Sequence, residues 1–387
     1  MKPLKRKTEY GKLIKITENK VLGKLPNPFI FDDKTEVKTP DDWQRRRKEI
    51  YKTAVELQYG TIPPKPEFLE VERIFVYDNA PFQSYRIVTG PKNCPVSFTM
   101  MVIKPVNDGK YPAVVDGDLC FKYVFDKEFI NEFVSNGIML VMFNRTELMP
   151  DNRGNERNIG QLHRAYPNYT FGAIGAWAWG YSRCVDALEK LGIADMNCIA
   201  FTGHSRGGKT AALAGALDER AVIVNPNATC AGACSCYRSH IKAVTEDGDE
   251  KRSETLKDML NGFPVWLGEG MKDYADREEE LPFDCHYLKA LVAPRKLFIS
   301  EAASDIWSNP VGSWQTTVAA KEVYKFLGTE DNLFWYFRSG YHYHHIEDVK
   351  RLVNIILNHL GHAEIAKGFF ETPFEEPPLM FDWKSPV

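Results

Sequence analysis

The chain has 387 residues, 44% apolar and 26% charged, with 27 Gly and 23 Pro, which excludes collagen-like, coiled-coil and wholly disordered chains. Its 49 basic and 52 acidic side chains run along the whole length, for a formal charge of −3, so no nucleic-acid footprint is present. No run of 18 apolar residues predicts a membrane-spanning helix, and the basic start MKPLKRKTEYGKLIKITENK has no apolar leader core, so a cytoplasmic protein is expected.

Residues 1–40 are polar, with a Pro-rich piece at Leu25-Pro-Asn-Pro-Phe29, and read as an extended arm on a core. Pro40, Asp41 and Asp42 start a helix that places Trp43, Ile50, Tyr51, Ala54 and Leu57 at helical spacing and stops at Gly60. From 68 to 104, FLEVERIFVY, QSYRIVTG and VSFTMMVIKP predict three consecutive strands, an antiparallel lead-in. Beyond Pro105 the period changes. Short apolar runs at 112–116, 138–143, 198–202, 221–225, 296–300 and 333–337 alternate with helical segments at 127–136, 174–192, 206–218, 311–328 and 346–360. That alternation predicts a mostly parallel sheet with helices on both faces. The stretch 227–294 shows no strand signal and reads as a cap-like insertion, so the expected organisation is an arm, 1–40, followed by one α/β domain, 41–387.

The eight cysteines, at 94, 120, 184, 198, 230, 234, 236 and 285, are too sparse for a disulfide scaffold. Cys230, Cys234 and Cys236 cluster, but without a fourth soft ligand or paired spacing they read as buried small residues, and no metal is expected.

The chemistry centres on Gly203-His204-Ser205-Arg206-Gly207, a G-x-S-x-G match. It follows the apolar run CIAFT and precedes the Ala-rich KTAALAGAL, the strand, turn and helix setting of a nucleophile elbow. A serine hydroxyl needs a neighbouring base that is itself oriented by a carboxylate. His342, after the last predicted strand, is the best-placed base, with His344 and His345 as rivals; Asp305, beyond the strand at 296–300, is the expected acid, with Glu301 the runner-up. Arg206 supplies a backbone N–H to an oxyanion hole, and its guanidinium adds a charged donor or grips a carboxylate-derived group. Lys209, one turn into the elbow helix, either faces the pocket mouth or is a solvated helix residue.

The run Thr202-Gly-His-Ser-Arg-Gly-Gly-Lys209 resembles the elbow of the glucuronoyl esterases, carbohydrate esterase family fifteen, especially its bacterial branch. The likeness extends over Leu25–Phe29, Trp43, Arg45–Ile50 and Tyr59-Gly60, over Ala176–Gly180 with Ser182-Arg183 and Asp186–Leu188, and over Leu281–His286 with Ala290–Arg295 and Arg338–Gly340 with His342. The resemblance implies the α/β-hydrolase fold and a metal-free, cofactor-free serine triad that cleaves the ester of a glucuronic acid carboxyl on xylan with a lignin alcohol. It implies Ser205 as nucleophile, His342 as base, Arg206 at the oxyanion hole, Lys209 on sugar hydroxyls and Trp307 as a sugar-stacking face, a buried core Trp being the alternative. Two departures stand out. Many members carry the triad acid in a Pro-x-Glu-Ser-Gly-like segment; here it reads Pro226-Asn-Ala-Thr-Cys230, with Ala228 at the glutamate position, which sends the acid to Asp305. The cytoplasmic expectation points to an imported oligosaccharide or other small ester as substrate. An acetyl esterase on acetylated sugars and a non-catalytic binding protein on a degenerate scaffold are the alternatives. Neither a nucleic-acid nor a membrane partner is expected, and the sequence leaves the oligomeric state open.

Overall fold

The computed structural model describes residues 14–75, 82–107, 109–245, 247–372 and 374–386. Residues 1–13 of the expected arm and the end of the first predicted strand, from 76, lie outside the described residues. A short strand, β1 (Lys15–Val21), precedes the first helix, α1 (Pro40–Tyr51), which buries Trp43, Arg46 and Ile50. Thr39 and Asp42 form a reciprocal capping box with Pro40 in the first turn. The helix continues as a π turn over Lys52–Leu57, and the chain turns at Gly60.

The strands β2 (Phe68–Phe75), β3 (Phe82–Gly90) and β4 (Val96–Ile103) pair antiparallel, the lead-in of the sequence reading. β5 (Tyr111–Asp116) and β6 (Met139–Phe143) follow, then β7 (Ala194–His204) and β8 (Ala221–Asn227). The larger sheet orders its strands β12-β11-β8-β7-β5-β6-β4-β3-β2, with β11 (Lys296–Ala302) and β12 (Leu333–Arg338) at one edge. From β6 to β12 every pairing is parallel, and β4 joins β6 antiparallel. Both faces are covered, so β6 and β12 are buried at every residue and their sequences, MLVMF and LFWYFR, run nearly apolar instead of alternating.

One face carries α4 (Ala173–Leu191), α5 (Arg206–Leu217), α7 (Cys285–Val292) and α8 (Pro310–Phe326), packed into the larger core. The other carries α2 (Lys127–Ser135) and α9 (Ile346–His359), whose Phe129, Phe133, Val349 and Leu352 form a second core with Phe298 and Phe334. The short α3 (Gln161–Ala165) and α6 (Leu256–Gly262) also pack into the larger core, through Leu162 and through Leu256 and Met259. This is the doubly covered α/β-hydrolase architecture the sequence predicts.

The stretch 227–294 differs from its reading: it contains β9 (Ser239–Val244) and β10 (Glu250–Arg252), which with β1 make a separate three-stranded antiparallel sheet. β10 is exposed at all three residues and β1 at most of its seven, so neither carries an apolar face; pairing on β9 alone makes them strands. Among the described residues no helix is long and apolar enough to cross a membrane.

Candidate active site

β7 delivers Ser205 into the sharp turn before α5, at φ +57° and ψ −119°, backbone that an L-residue holds only under strain. Its N–H donates to Asn227 O on β8 at 2.9 Å. The flanking glycines are steric necessities. A Cβ on Gly203 would lie 2.5 Å from Gly207 O, and one on Gly207 would lie 2.3 Å from both carboxylate oxygens of Asp118. Asp118 also accepts the His204 N–H at 3.0 Å, tying the loop after β5 to the elbow.

The loop after β12 brings His342 onto this serine. His342 Nε2 lies 2.8 Å from Ser205 Oγ, and Nδ1 lies 2.7 Å from Asp305 Oδ2. The two supporting loops are cross-tied, Ala303 N–H donating to Arg338 O and Ser304 N–H to Gly340 O at 2.8 and 2.9 Å. Arg338, buried, donates to Asp348 at the start of α9 and fixes the root of the loop. Burial works against a charged His342, but hydrogen bonding and attraction from Asp305 outweigh it, so its pKa is raised above 6.5. Asp305 is 3% exposed and accepts the Ser308 N–H.

Glu301 is fully buried at the end of β11 and receives the Ser308 hydroxyl at 3.0 Å. Burial, with the charge of Asp305 beside it, pushes its carboxyl up to about 7. The rivals of His342 do other things: His345 caps α9, and His344 is buried, edge-on to Phe129, with a pKa pushed down to about 4 by burial. Beneath the site His204 is held neutral, first by burial and then by its histidine neighbours. Its Nδ1 donates to Asn227 Oδ1 at 2.6 Å, since the Asn227 amide nitrogen donates to Ser300 Oγ.

Arg206 opens α5, so its backbone N–H is among those left without an intrahelical acceptor. Its guanidinium donates to Asp151 Oδ2 at 3.0 Å and lies 4.7 and 4.8 Å from the stacked rings of Phe263 and Trp266. Trp266 Nε1 donates to the other Asp151 oxygen. Behind them Arg145, fully buried, pairs with Asp118, and burial lowers its pKa to about 10. Sequence reasoning missed Asp118, Asp151 and Arg145; the signal it could have used is place in the chain, since all three lie in the connections that follow the predicted strands 112–116 and 138–143.

Lys209 is neither at an open mouth nor solvated. It is 2% exposed, and its ammonium donates to Thr229 O and Ala231 O and pairs with Glu254 Oε2 at 3.4 Å. Burial raises the Glu254 carboxyl, opposed by Lys209. The Glu254 N–H in turn donates to Trp307 O. Trp307 sits in the turn Ile306–Ser308, directly after Asp305, and is 42% exposed, with the Arg252 guanidinium 5.5 Å from its ring; it is not a core Trp. Cys230, Cys234 and Cys236 are buried, with thiols raised by burial, and Ala228 is buried at φ +45°. Among the described residues no group of three or more His, Cys, Asp or Glu side chains is placed to hold a metal ion.

Residues 87–328, well over half of the chain, match the family model described as glucuronyl esterase, fungi. The 4-O-methyl-glucuronoyl methylesterase 1 of Wolfiporia cocos is 30% identical over 80% of this chain and 73% of its own length. The 4-O-methyl-glucuronoyl methylesterase of Podospora anserina is 30% identical over 83% of this chain, which spans 63% of that protein. Among solved structures, a carbohydrate esterase family 15 glucuronoyl esterase from Caldicellulosiruptor kristjansonii superposes with a TM-score of 0.82 at 27% identity, covering 94% of this chain and 97% of that one. By the extent of these matches, and by a fold shared along nearly its whole length, this chain belongs to the glucuronoyl esterase family.

Proposed function

We propose that this protein hydrolyses carboxylic esters of glucuronic acid, with or without the 4-O-methyl group, through an acyl-enzyme on Ser205. The observation that carries the reading is the unbroken chain from Asp305 through His342 to Ser205 Oγ, at 2.7 and 2.8 Å, on a strained elbow. His342 takes the serine proton as Oγ attacks the ester carbonyl, and Asp305 holds Nδ1–H and stabilises the imidazolium. The Arg206 N–H at the start of α5, with its guanidinium nearby, stabilises the tetrahedral oxyanion. His342 then protonates the leaving alcohol and activates the water that releases the acid.

Lys209 and Trp307 bind the sugar in this reading: the ammonium turns a bond from a backbone carbonyl to a hydroxyl, and the half-exposed indole offers a flat apolar face. The geometry favours an enzyme over a binding protein on a degenerate scaffold, because the missing glutamate at Ala228 is matched by a carboxylate already on the histidine. The test compares kcat/KM on benzyl glucuronate and on an acetylated xylo-oligosaccharide, with Ser205→Ala as the blank. Preferred turnover of the uronate ester, lost in the variant, supports the proposal; turnover of the acetyl ester alone keeps the triad and overturns the substrate.

A further inference from the structure

Arg206 directly follows Ser205, so their Cα atoms lie about 3.8 Å apart and the guanidinium stays within one side chain's length of the nucleophile. Its side chain is 29% exposed, and among the described residues it makes one hydrogen bond, from Nη1 to Asp151 Oδ2 at 3.0 Å. Nε and Nη2 make none, and neither is sealed from solvent. Together these two nitrogens form one of the edges by which a guanidinium grips a carboxylate. The edge is open, but its charge is spent. Asp151 is itself held in place, since Trp266 Nε1 donates to its other oxygen at 3.2 Å. The neighbouring cations are matched in the same way: Arg145 by Asp118, Lys209 by Glu254 and Arg252 by Asp258. Arg153, 5.4 Å from the Phe263 ring, is exposed, where water and salt screen it.

In the ester-hydrolase reading the substrate carbonyl is neutral and the product is an anion. Water adds to the acyl carbon and gives a proton to His342; the bond to Ser205 Oγ breaks as Oγ takes that proton. The free carboxylic acid, with a pKa of about 4, then loses its own proton to solvent. Its two oxygens match the open Nε and Nη2 edge, and a guanidinium carrying its full charge would hold the anion just when the site has to empty. The tetrahedral oxyanion differs, because it is bonded to Ser205 and cannot leave, so N–H donors suffice to stabilise it in place.

We propose that Asp151 is a release residue: paired with Arg206, it leaves the guanidinium its hydrogen-bond donors and cancels the charge that would trap the uronate product. The proposal rests on the ester-hydrolase reading for the identity of that anion. Calorimetric titration of the Ser205→Ala protein, which turns nothing over, reads the charge directly. D-glucuronate and its neutral amide are expected to bind within about threefold of each other, and a larger preference for the anion overturns the proposal. Adding Asp151→Asn, which keeps an acceptor oxygen but removes the charge, is expected to tighten glucuronate by about tenfold or more and to leave the amide unaltered. Damage to the fold weakens binding, so tightening is a result that a merely structural Asp151 does not give. Adding Arg206→Ala as well is expected to return glucuronate to its original affinity. No tightening in Asp151→Asn, or tightening that survives Arg206→Ala, overturns the proposal; if Asp151→Asn fails to fold, the comparison of anion with amide still decides it.

With Ser205 intact, glucuronate is expected to inhibit hydrolysis of benzyl glucuronate by the Asp151→Asn enzyme at a concentration lower by about tenfold or more than in the original. Tight binding in the titration with unchanged product inhibition overturns the role in release. No turnover of the ester by the unaltered protein overturns the hydrolase reading instead, while the titrations still decide whether Asp151 masks Arg206.

Discussion

Replacing Asp305 with Asn tests the electrostatic heart of the site while keeping its shape. With Nδ1 and Oδ2 2.7 Å apart, the imidazolium and carboxylate charge centres are about 4 Å apart. At an effective dielectric of about 20 that is worth about 4 kcal/mol, or about three decades in rate if it acts only in the transition state. The same attraction raises the His342 pKa above 6.5 against the opposing effect of burial. Only neutral His342 can accept the serine proton, so kcat/KM falls as pH drops through that pKa, and the acid limb of the unaltered enzyme has its midpoint above 6.5. In Asp305→Asn, burial, the largest influence, is opposed only by the weaker pull of Glu301, so the limb moves to lower pH while the plateau drops about a thousandfold. The assay is the pH profile of kcat/KM on benzyl glucuronate. An Asp305→Asn protein within about threefold of the original, with an unmoved limb, refutes the reasoning; a thousandfold loss in Glu301→Gln instead transfers the role to Glu301.

Arg206→Ala is expected to lower kcat about 100-fold with little change in KM, read by steady-state kinetics, if the guanidinium serves the oxyanion and not the bound ester. Lys209→Ala strips the buried Glu254 of its cation at 3.4 Å, which is expected to cost about 3 kcal/mol, a drop of several degrees in melting temperature, and to raise KM for the uronate ester. Glu301, raised from 4.5 to about 7, favours its neutral form in the fold, so its contribution to stability is complete below pH 4.5 and is lost as pH rises through 7. Glu301→Gln should therefore melt later than the original protein at pH 8 by the equivalent of about 3 kcal/mol, with a smaller difference at pH 5. Gly207→Ala forces a methyl to within 2.3 Å of the Asp118 carboxylate and should cost about 1–3 kcal/mol in a thermal melt and most of the activity.

The sequence spoke clearly wherever a local rule had a single solution. Six apolar runs alternating with helical segments could be satisfied only by a doubly covered parallel sheet, and the glycines around Ser205 stand where a Cβ would strike the backbone or Asp118. Its silences also have physical causes. β1 and β10 expose nearly all their side chains and exist only through hydrogen bonds to β9, whereas β9 itself does alternate, a signal that SHIKAV offered. α7 is buried on every side, so no apolar stripe announces it.

The elbow that carries Ser205, and the places of Asp305 and His342 after their strands, were legible because turn chemistry and chain order are local properties. The meeting of Asp305 with His342, 37 residues apart, and the withdrawal of Lys209 into contact with Thr229 O, Ala231 O and Glu254 were decided in space. So was the clamp on Arg206, assembled from Asp151, Phe263 and Trp266 on two separate loops. Sequence patterns fix which face of an element is buried; which polar groups share that burial, and therefore which charges they hold, depends on contacts between elements far apart in the chain.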